Sequence, residues 1–338
     1  MSIEQNLPRE WRRWVGENAM LRVGNEQIVE AAVAAGLERA VVETEVRRAL
    51  DDPYVEAGRC LAERLRKLET MLRIRVEVVR QSGEHASIEA RRKLPAGQFQ
   101  REFYARNRPV KLLGMIDAWP ACHSWRPEYF LDRFGRHVVE ITSSRDADPR
   151  YEINLEKHRR SILFGDFIRM VLSGAPGNNC YLVANNRFFE KPGMGGLLDD
   201  LGPFPGYLRE GDRAPNTYLW FGPAGTITPL HHDAMNVLFC QIHGSKRIAL
   251  ISPDEAPWLY NQVGVFSEVD YENPDFRRFP LFRHVQPIEV EMHSGEVLFI
   301  PVGWWHHVRS LETSISVSFT NFVVPNEYQW SARGGSRD

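Results

Sequence analysis

The feature of this sequence that most restricts its fold is a series of short β-rich segments between residues 109 and 324. Each segment is rich in apolar and β-branched residues, and turn-forming residues separate it from the next. In order they read PVKLLGMI, HVVEITSS, NTYLWFG, VLFCQI, RIALISP, EVLFIPV and SISVSFTNFVV. Many short strands at this spacing are typical of a β-sandwich or a β-barrel. We therefore predict a mainly β domain, to which WRPEYFLDRFG and ILFGDFIRMVLSG add helices.

The first 80 residues carry a different pattern, in which apolar residues recur at helical spacing. The longest example follows Pro53 and places four leucines on one stripe: Leu61, Leu65, Leu68 and Leu72. We interpret this region as a small helical domain. It could recognise a substrate, form a dimer or pack as a cap on the β domain, and the last reading needs the fewest assumptions.

Changes in local composition along the chain also predict the domain boundaries. The stretch RQSGEHASIEARRKLPAGQ loses the apolar period and contains Gly, Ser and Pro, which favour loops. The predicted parts are a helical domain over 1–80, a linker over 81–95, the β domain over 96–325 and a polar tail over 326–338.

Charge and cysteine content limit the expected binding partners and the expected cellular compartment. The net charge of -2 gives no global field that would attract the whole chain to nucleic acid or to an anionic membrane. The four cysteines are scattered, which favours a reducing compartment. The N-terminal residues lack the apolar core of a secretory signal, and no apolar stretch has the length of a membrane span. We expect a cytoplasmic protein that binds neither membrane nor nucleic acid.

A candidate metal site stands in the segment TPLHHDAMN, where His231 and Asp233 are two residues apart beside a predicted strand. Side chains at this spacing on a strand point to the same face. A later strand, EVLFIPV, leads through Gly303 to His306. Two histidines and one carboxylate form the facial triad of non-haem Fe(II) oxygenases. Three protein ligands leave positions open for a chelating 2-oxo acid and for O₂, which a site closed by four protein ligands would not.

Each element of this pattern has an ordinary structural alternative. The HHD sequence alone is compatible with a histidine-rich surface turn. Lys246, in QIHGSKRIALISP, is compatible with a solvated lysine at a strand end. If Lys246 is instead buried in a pocket, it needs an anionic partner, such as the distal carboxylate of 2-oxoglutarate. The order of HxD, then a lysine, then a distant histidine favours the metal site.

Taken together, the segments GTITPLHHD, QIHGSKR, SEVDYENPDFRRFPLF, SGEVLFIPVGWWHHV and SISVSF resemble the JmjC-domain oxygenases of the cupin superfamily. The resemblance covers roughly residues 90 to 325 and is greatest for the branch containing the asparaginyl hydroxylase of hypoxia-inducible factor and the JmjC arginyl hydroxylase. It implies a double-stranded β-helix, or jelly roll, with iron at its open end.

The resemblance also implies roles for individual residues. Iron would be held by His231, Asp233 and His306, and the C5 carboxylate of 2-oxoglutarate would contact Lys246, Thr228 and Tyr181. That branch usually has an asparagine four residues after the metal aspartate, where this chain has Val237. A local shift would bring Asn236 to the cofactor instead.

A second departure is Thr320, which stands where the family tends to have a tryptophan. The substrate side of the pocket is therefore expected to differ.

We accordingly predict a dioxygenase that uses Fe(II), 2-oxoglutarate and O₂ to hydroxylate an amino-acid side chain of a protein or peptide, releasing succinate and CO₂. Demethylation of an N-methyl group, or hydroxylation of a small molecule or a tRNA base, would use the same iron site. A non-catalytic cupin, or a metal cupin that uses no 2-oxo acid, is a further alternative. A homodimer is possible for any of these.

Overall fold

A computed structural model of the chain describes residues 7–83, 87–183, 187–211, 213–262 and 264–328. The chain divides into two compact units, Met1–Val78 and Val79–Asp338. Of the predicted linker, residues 84–86 lie outside the described residues, as do residues 329–338 of the predicted polar tail.

The first unit is helical, as its apolar spacing predicts. Its helices are α1 (Arg9–Met20), α2 (Asn25–Ala34), α3 (Arg39–Leu50) and α4 (Pro53–Ser82), the last of which runs on past Val78. Side chains from the first three helices, with Val55 of α4, form one buried cluster that includes Val15, Ile28 and Val42. Gly36, after α2, adopts a φ of 95°, a conformation that ends helices and that residues with a Cβ rarely adopt.

The leucine stripe of α4 is not buried in that cluster. Leu61, Leu65 and Leu68 are more than half exposed, although their spacing predicts a packed amphipathic face. The predicted helix is confirmed, and three of the four leucines on its stripe face solvent.

The second unit is built on two facing sheets. Its strands are β1 (Ala90–Arg92), β2 (Val110–Leu113), β3 (Val138–Ser143), β4 (Arg159–Leu163), β5 (Cys180–Tyr181), β6 (Thr217–Gly222), β7 (Ile227–His232), β8 (Val237–His243), β9 (Lys246–Ile251), β10 (Ile288–Met292), β11 (Val297–Ile300), β12 (Trp305–Ser310) and β13 (Ser314–Phe319). A six-stranded sheet has the order β1-β2-β11-β8-β13-β6, and a four-stranded sheet has the order β10-β9-β12-β7. A small third sheet has the order β4-β3-β5.

The helices of this unit are short. They are α5 (Ala96–Phe99), followed by a π-helical turn over Gln100–Tyr104, then α6 (Pro120–Ser124), α7 (Pro127–Phe134), α8 (Leu155–His158) and α9 (Phe164–Ser173). Both α7 and α9 follow the predicted helical segments closely.

Apolar residues alternate between the two faces of the six-stranded sheet. Leu298 of β11 and Phe239 of β8 share a buried cluster with Ile248 and Leu250 of β9, which places the two sheets face to face. Phe299 lies in another cluster with residues of α7 and α9, so helices cover the outer face. A β-sandwich with strands crossing between two sheets and helices on one side is the predicted jelly roll, and the fold class is confirmed.

Two local features differ from the sequence-based reading. Strand β1 lies within the predicted linker, where it pairs in parallel with β2. Strands β4, β5, β7, β10 and β12 also lie outside the predicted β-rich segments, although the alternation of apolar and charged residues in IEVEM is itself a strand pattern. In the part of the chain that the structure describes, no helix is both long enough and apolar enough to cross a membrane.

Candidate active site

Strand pairing between β7 and β12 brings two distant histidines together. His231 and His306 are direct partners in this antiparallel pair, and their ring centroids are 4.1 Å apart. Opposed residues of an antiparallel pair point to the same face of the sheet. The sheet register therefore places side by side two imidazoles that are 75 positions apart in the sequence.

Asp233 completes the cluster immediately after β7 ends. Its Oδ2 lies 3.7 Å from Nε2 of His306. The backbone N–H of Gly303 donates to the carbonyl of Asp233 at 3.0 Å, and Gly303 has a φ of 78° that favours glycine. This bond ties the loop after β7 to the turn before β12. One candidate ligand atom from each of His231, Asp233 and His306 lies within 4.8 Å of the others.

Backbone carbonyls fix the orientation of both imidazoles. Nδ1 of His231 lies 2.8 Å from the carbonyl oxygen of Pro229, and Nδ1 of His306 lies 3.1 Å from that of Trp304. A carbonyl only accepts, so each Nδ1 must carry the proton, which leaves Nε2 with its lone pair directed away from the backbone. Bonds of this kind commonly orient metal-binding histidines.

Burial keeps His306 neutral. Its side chain is 5% exposed, and desolvation, reinforced by the neighbouring His231, lowers its pKa below the ordinary value. Asp233 acts in the opposite direction. A neutral imidazole is the form that ligates a metal ion.

Lys246, at the start of β9, is buried in the same domain with 1% exposure. Desolvation lowers its pKa to about 7. Its Nζ donates to the hydroxyl of Tyr181 at 3.0 Å. Among the ion pairs of the described residues none involves Lys246. A buried cation with a hydroxyl as its partner is suited to receive an anion from outside the protein.

One cavity of about 360 Å³ connects these groups. The three candidate metal ligands, Lys246, Tyr181 and Thr228 all line it. Thr228 lies opposite Val308 in the β7–β12 pair, and Val308 also lines the cavity. A volume of this size suits a small dicarboxylate together with part of a second molecule. Six of the seven predicted site residues therefore share one cavity.

Asn236, the seventh, is placed differently. It is buried, but it does not line the cavity, whereas the neighbouring Val237 does. Its side-chain amide donates to Oδ1 of Asn326 at 2.9 Å, and its Oδ1 accepts from the backbone N–H of Val302 at 2.9 Å. These hydrogen bonds join Asn236 to the segments around Val302 and Asn326, which argues against its predicted contact with 2-oxoglutarate.

Asn326 is the partner that the sequence analysis had placed in the polar tail. It is 7% exposed, and its amide donates to the carbonyls of Asn236 and Thr320. The jelly roll thus includes at least this residue beyond the predicted boundary at 325.

The structure adds Glu152, which the sequence analysis had not considered. Its carboxylate lines the cavity and lies 3.0 Å from the buried guanidinium of Arg145. Burial raises the pKa of Glu152, and the charge of Arg145 opposes that shift. The sequence has no signal for this position, because Glu152 precedes β7 by 75 residues and belongs to no recognisable motif.

The second histidine of each HH pair points elsewhere. His232 packs against Trp305, with ring centroids 4.6 Å apart. His307 stacks on Tyr271 at 4.8 Å and has its Nε2 4.0 Å from Glu272. Because successive side chains of a strand point to opposite faces, His232 and His307 point away from the candidate ligands His231 and His306.

The donor set fits Fe(II). Two neutral imidazoles and one carboxylate converge from one side, which is the arrangement typical of non-haem iron with open positions. The buried, charge-unbalanced Lys246 in the same cavity fits the distal carboxylate of 2-oxoglutarate.

Comparison with known proteins supports this assignment. A family profile described as a cupin-like domain matches residues 96–322. Lysine-specific demethylase 8 of Danio rerio is 34% identical over 232 residues, which cover 66% of this chain and 55% of that protein. Jumonji C domain-containing protein 5 of Drosophila melanogaster is 32% identical over 235 residues, which cover 66% of this chain and 56% of that protein.

Another relative, whose name indicates a different role, matches over a larger share of its own length. tRNA wybutosine-synthesizing protein 5 of Gallus gallus is 29% identical over 258 residues, which cover 71% of this chain and 79% of that protein. The chain spans about half the length of the demethylase and Jumonji C relatives. Since the cupin-like profile matches more than half of the chain, the chain belongs to the cupin-like JmjC family.

Proposed function

We propose that this protein hydroxylates an amino-acid side chain of a protein or peptide, using Fe(II), 2-oxoglutarate and O₂ and releasing succinate and CO₂. The observation that carries the proposal is that one cavity contains both the His231, Asp233 and His306 cluster and the buried cation of Lys246. A metal site alone would serve many reactions. A metal site with an anion-binding lysine in the same cavity favours a 2-oxo acid cosubstrate.

The residues have separate tasks in this proposal. His231, Asp233 and His306 would hold Fe(II), which supplies O₂ activation coupled to the oxidative decarboxylation of 2-oxoglutarate. Lys246 would bind the distal carboxylate, with the hydroxyls of Tyr181 and Thr228 beside it. The Pro229 and Trp304 carbonyls keep each ligating Nε2 deprotonated and correctly aimed.

The rest of the cavity gives the substrate side its chemistry. Trp220 lines it, with its indole N–H donating to Ser318 at 3.0 Å, and Thr320 lines it where the family tends to have a tryptophan. Glu152 adds the buried carboxylate. An apolar wall beside the carboxylate of Glu152, which Arg145 pairs, suits a side chain that has an aliphatic stem and a hydrogen-bond-donating end.

N-demethylation is the second candidate, because three matched relatives have lysine-specific demethylase in their names. It begins with hydroxylation of an N-methyl carbon, so the same iron site would serve both reactions. The two differ in the product, since the hydroxylated methyl group is lost as formaldehyde.

Mass spectrometry of a peptide library treated with the iron-loaded protein distinguishes them. Hydroxylation adds one oxygen atom to a peptide, whereas demethylation removes one methylene unit and forms formaldehyde. We expect the oxygen gain on peptides with unmethylated lysine or arginine. Loss of methylene from methylated peptides alone would favour demethylation. Modification of a tRNA substrate, with none of any peptide, would overturn the proposal.

A further inference from the structure

The cavity that contains the candidate metal ligands changes in character between its buried end and its solvent-accessible end. Lys246 and Tyr181 are almost completely buried and line the first. Most of the lining residues that solvent still reaches are apolar or aromatic, and they include Leu155, Tyr218, Met235, Val265 and Phe266. These accessible residues form the mouth of the cavity, which a substrate must pass to reach the candidate metal ligands.

The backbone on both sides of Met235 is tied by hydrogen bonds. The N–H of Gly303 donates to the carbonyl of Asp233, two residues before Met235. The next residue, Asn236, exchanges backbone and side-chain hydrogen bonds with Asn326. The Met235 side chain lines the cavity, and the residue is 36% exposed. The fold therefore presents this apolar side chain at the mouth from a fixed backbone position.

Phe266 has a similar position beside another candidate ligand. Its ring centroid lies 5.6 Å from that of His231, and its backbone forms an isolated β-bridge with the same residue. The side-chain amide of Asn261 donates to the Phe266 carbonyl at 2.8 Å. Two anchored apolar side chains thus lie next to candidate metal ligands. Met235 follows Asp233 by two residues, and Phe266 packs against His231.

We propose that Met235 and Phe266 select peptide substrates that carry a large apolar side chain near the hydroxylated residue. This inference rests on the proposed hydroxylation of a peptide side chain. An apolar substrate side chain that covers the two residues removes apolar surface of both molecules from water. A carboxylate in the same place would lose its hydration against apolar side chains and gain no partner.

The geometry of an extended peptide sets the position of the selected residue. Side chains two positions apart on an extended segment point to the same face and are about 7 Å apart. When the target side chain enters the cavity, the side chain two positions away faces the same surface and lies at the mouth. Side chains one position away point to the opposite face. The selected apolar residue is therefore the second residue from the target.

Methionine at the mouth makes this selection tolerant of shape. Its side chain is unbranched, with three rotatable bonds and a polarizable sulfur, so it adapts to differently shaped apolar groups. We expect leucine, isoleucine, methionine and phenylalanine at the second position to be accepted with similar affinity.

Fluorescence anisotropy of labelled peptide pools measures the preference without requiring turnover. Each pool has a central lysine or arginine in a background of alanine, serine and glycine, with either leucine or glutamate at both second positions. The full chain is loaded with Mn(II) and 2-oxoglutarate. We expect the wild type to bind the leucine pool roughly tenfold more tightly than the glutamate pool.

Variants at the mouth should change this ratio. Met235→Lys should shift the preference to the glutamate pool, because an ammonium group at the mouth attracts the carboxylate. Met235→Leu should keep the leucine preference, and Phe266→Ala should reduce it. Met170→Lys is the matched control and should behave as the wild type does, because Met170 is 39% exposed on α9 and is not among the residues that line the cavity.

The outcomes separate this inference from the proposed function. Equal binding of both pools by the wild type, an undiminished leucine preference in Met235→Lys, or an equal shift in Met170→Lys would overturn the inference. Oxygen gain on peptides regardless of their second residue would overturn it and leave the proposed function intact. A leucine preference that Met235→Lys reverses, on peptides that never gain oxygen, would support the selection by Met235 and contradict the proposed function.

Discussion

His231 and His306 are opposed residues of β7 and β12, with their ring centroids 4.1 Å apart and each Nδ1 bonded to a backbone carbonyl. The sheet register thus sets the distance between the two imidazoles. A site that the fold has already assembled binds its metal without first reorganising the chain.

Metal binding should therefore stabilise the folded protein in a ligand-specific way. At a metal concentration of about one hundred times the dissociation constant, the free energy of unfolding should rise by about 2.7 kcal/mol. We expect thermal melts with and without Mn(II) to show this shift in the wild type and to lose it in His306→Ala. His307→Ala is the matched control, because His307 faces Tyr271 and should keep the metal-induced shift. Equal shifts in both variants would contradict the ligand assignment.

Lys246 gives 2-oxoglutarate binding a pH dependence of defined sign. The pKa of Lys246 lies at about 7 when the cavity holds no anion, and a bound carboxylate raises it. Binding above that pH must take up a proton, so affinity should fall by up to roughly tenfold per pH unit above about 7.

Calorimetric titration of the Mn(II)-loaded protein with 2-oxoglutarate, in buffers of different ionisation enthalpy, measures both affinity and proton uptake. Lys246→Arg stays charged throughout this range and should show a flatter profile. Lys246→Met should bind weakly at every pH. A wild-type profile as flat as that of Lys246→Arg would show that Lys246 does not contact the cosubstrate.

Replacing Asn236 distinguishes a role in stabilising the fold from a role in binding 2-oxoglutarate. Replacing it with alanine removes the acceptor of the Val302 N–H and the side-chain bond to Asn326. We expect Asn236→Ala to lower the free energy of unfolding by about 1–3 kcal/mol. Denaturant melts measure this loss, and Asn326→Ala should give a similar one.

The affinity of Asn236→Ala for 2-oxoglutarate, measured well below its melting temperature, should stay within a factor of about two of the wild type. A large loss of cosubstrate affinity with unchanged stability would instead place Asn236 at the cofactor.

Arg145 and Glu152 should be coupled energetically. The Arg145 side chain is fully buried, so removing its partner leaves an uncompensated charge. We expect Glu152→Met to cost about 3–5 kcal/mol of stability, and the double variant Arg145→Met/Glu152→Met to cost less than the two single changes added together. A double-mutant cycle by urea denaturation gives the coupling energy. Additive losses would mean that the ion pair contributes nothing specific.

The sequence predicted a β-sandwich or β-barrel because its strands are short, apolar and separated by turns, and the resemblance to the JmjC oxygenases implied the jelly roll. It also predicted that His231, Asp233 and His306 share a site, since the spacing of HxD and a histidine at a strand end are local signals. The sequence left open whether Lys246 is solvated or buried, and the structure shows that it is buried.

Other features depend on contacts that the chain makes across long separations. Asn236 looked available to the cofactor, but its amide is used by Asn326, ninety residues away. Glu152 reaches the cavity because it pairs with Arg145, whose guanidinium donates to the Ile227 carbonyl of β7, and neither contact leaves a pattern in the sequence. The leucines of α4 have the spacing of a buried face, yet Leu61, Leu65 and Leu68 are more than half exposed.

The most direct test of the central claim is succinate formation from 2-oxoglutarate by purified protein supplied with Fe(II), ascorbate and O₂. We expect slow turnover by the wild type without added substrate, lost by roughly a hundredfold or more in both Asp233→Ala and Lys246→Ala. His307→Ala should retain it. Undiminished turnover in Asp233→Ala, or a wild-type protein that neither consumes nor binds 2-oxoglutarate, would contradict the assignment of this cavity as a 2-oxoglutarate oxygenase site.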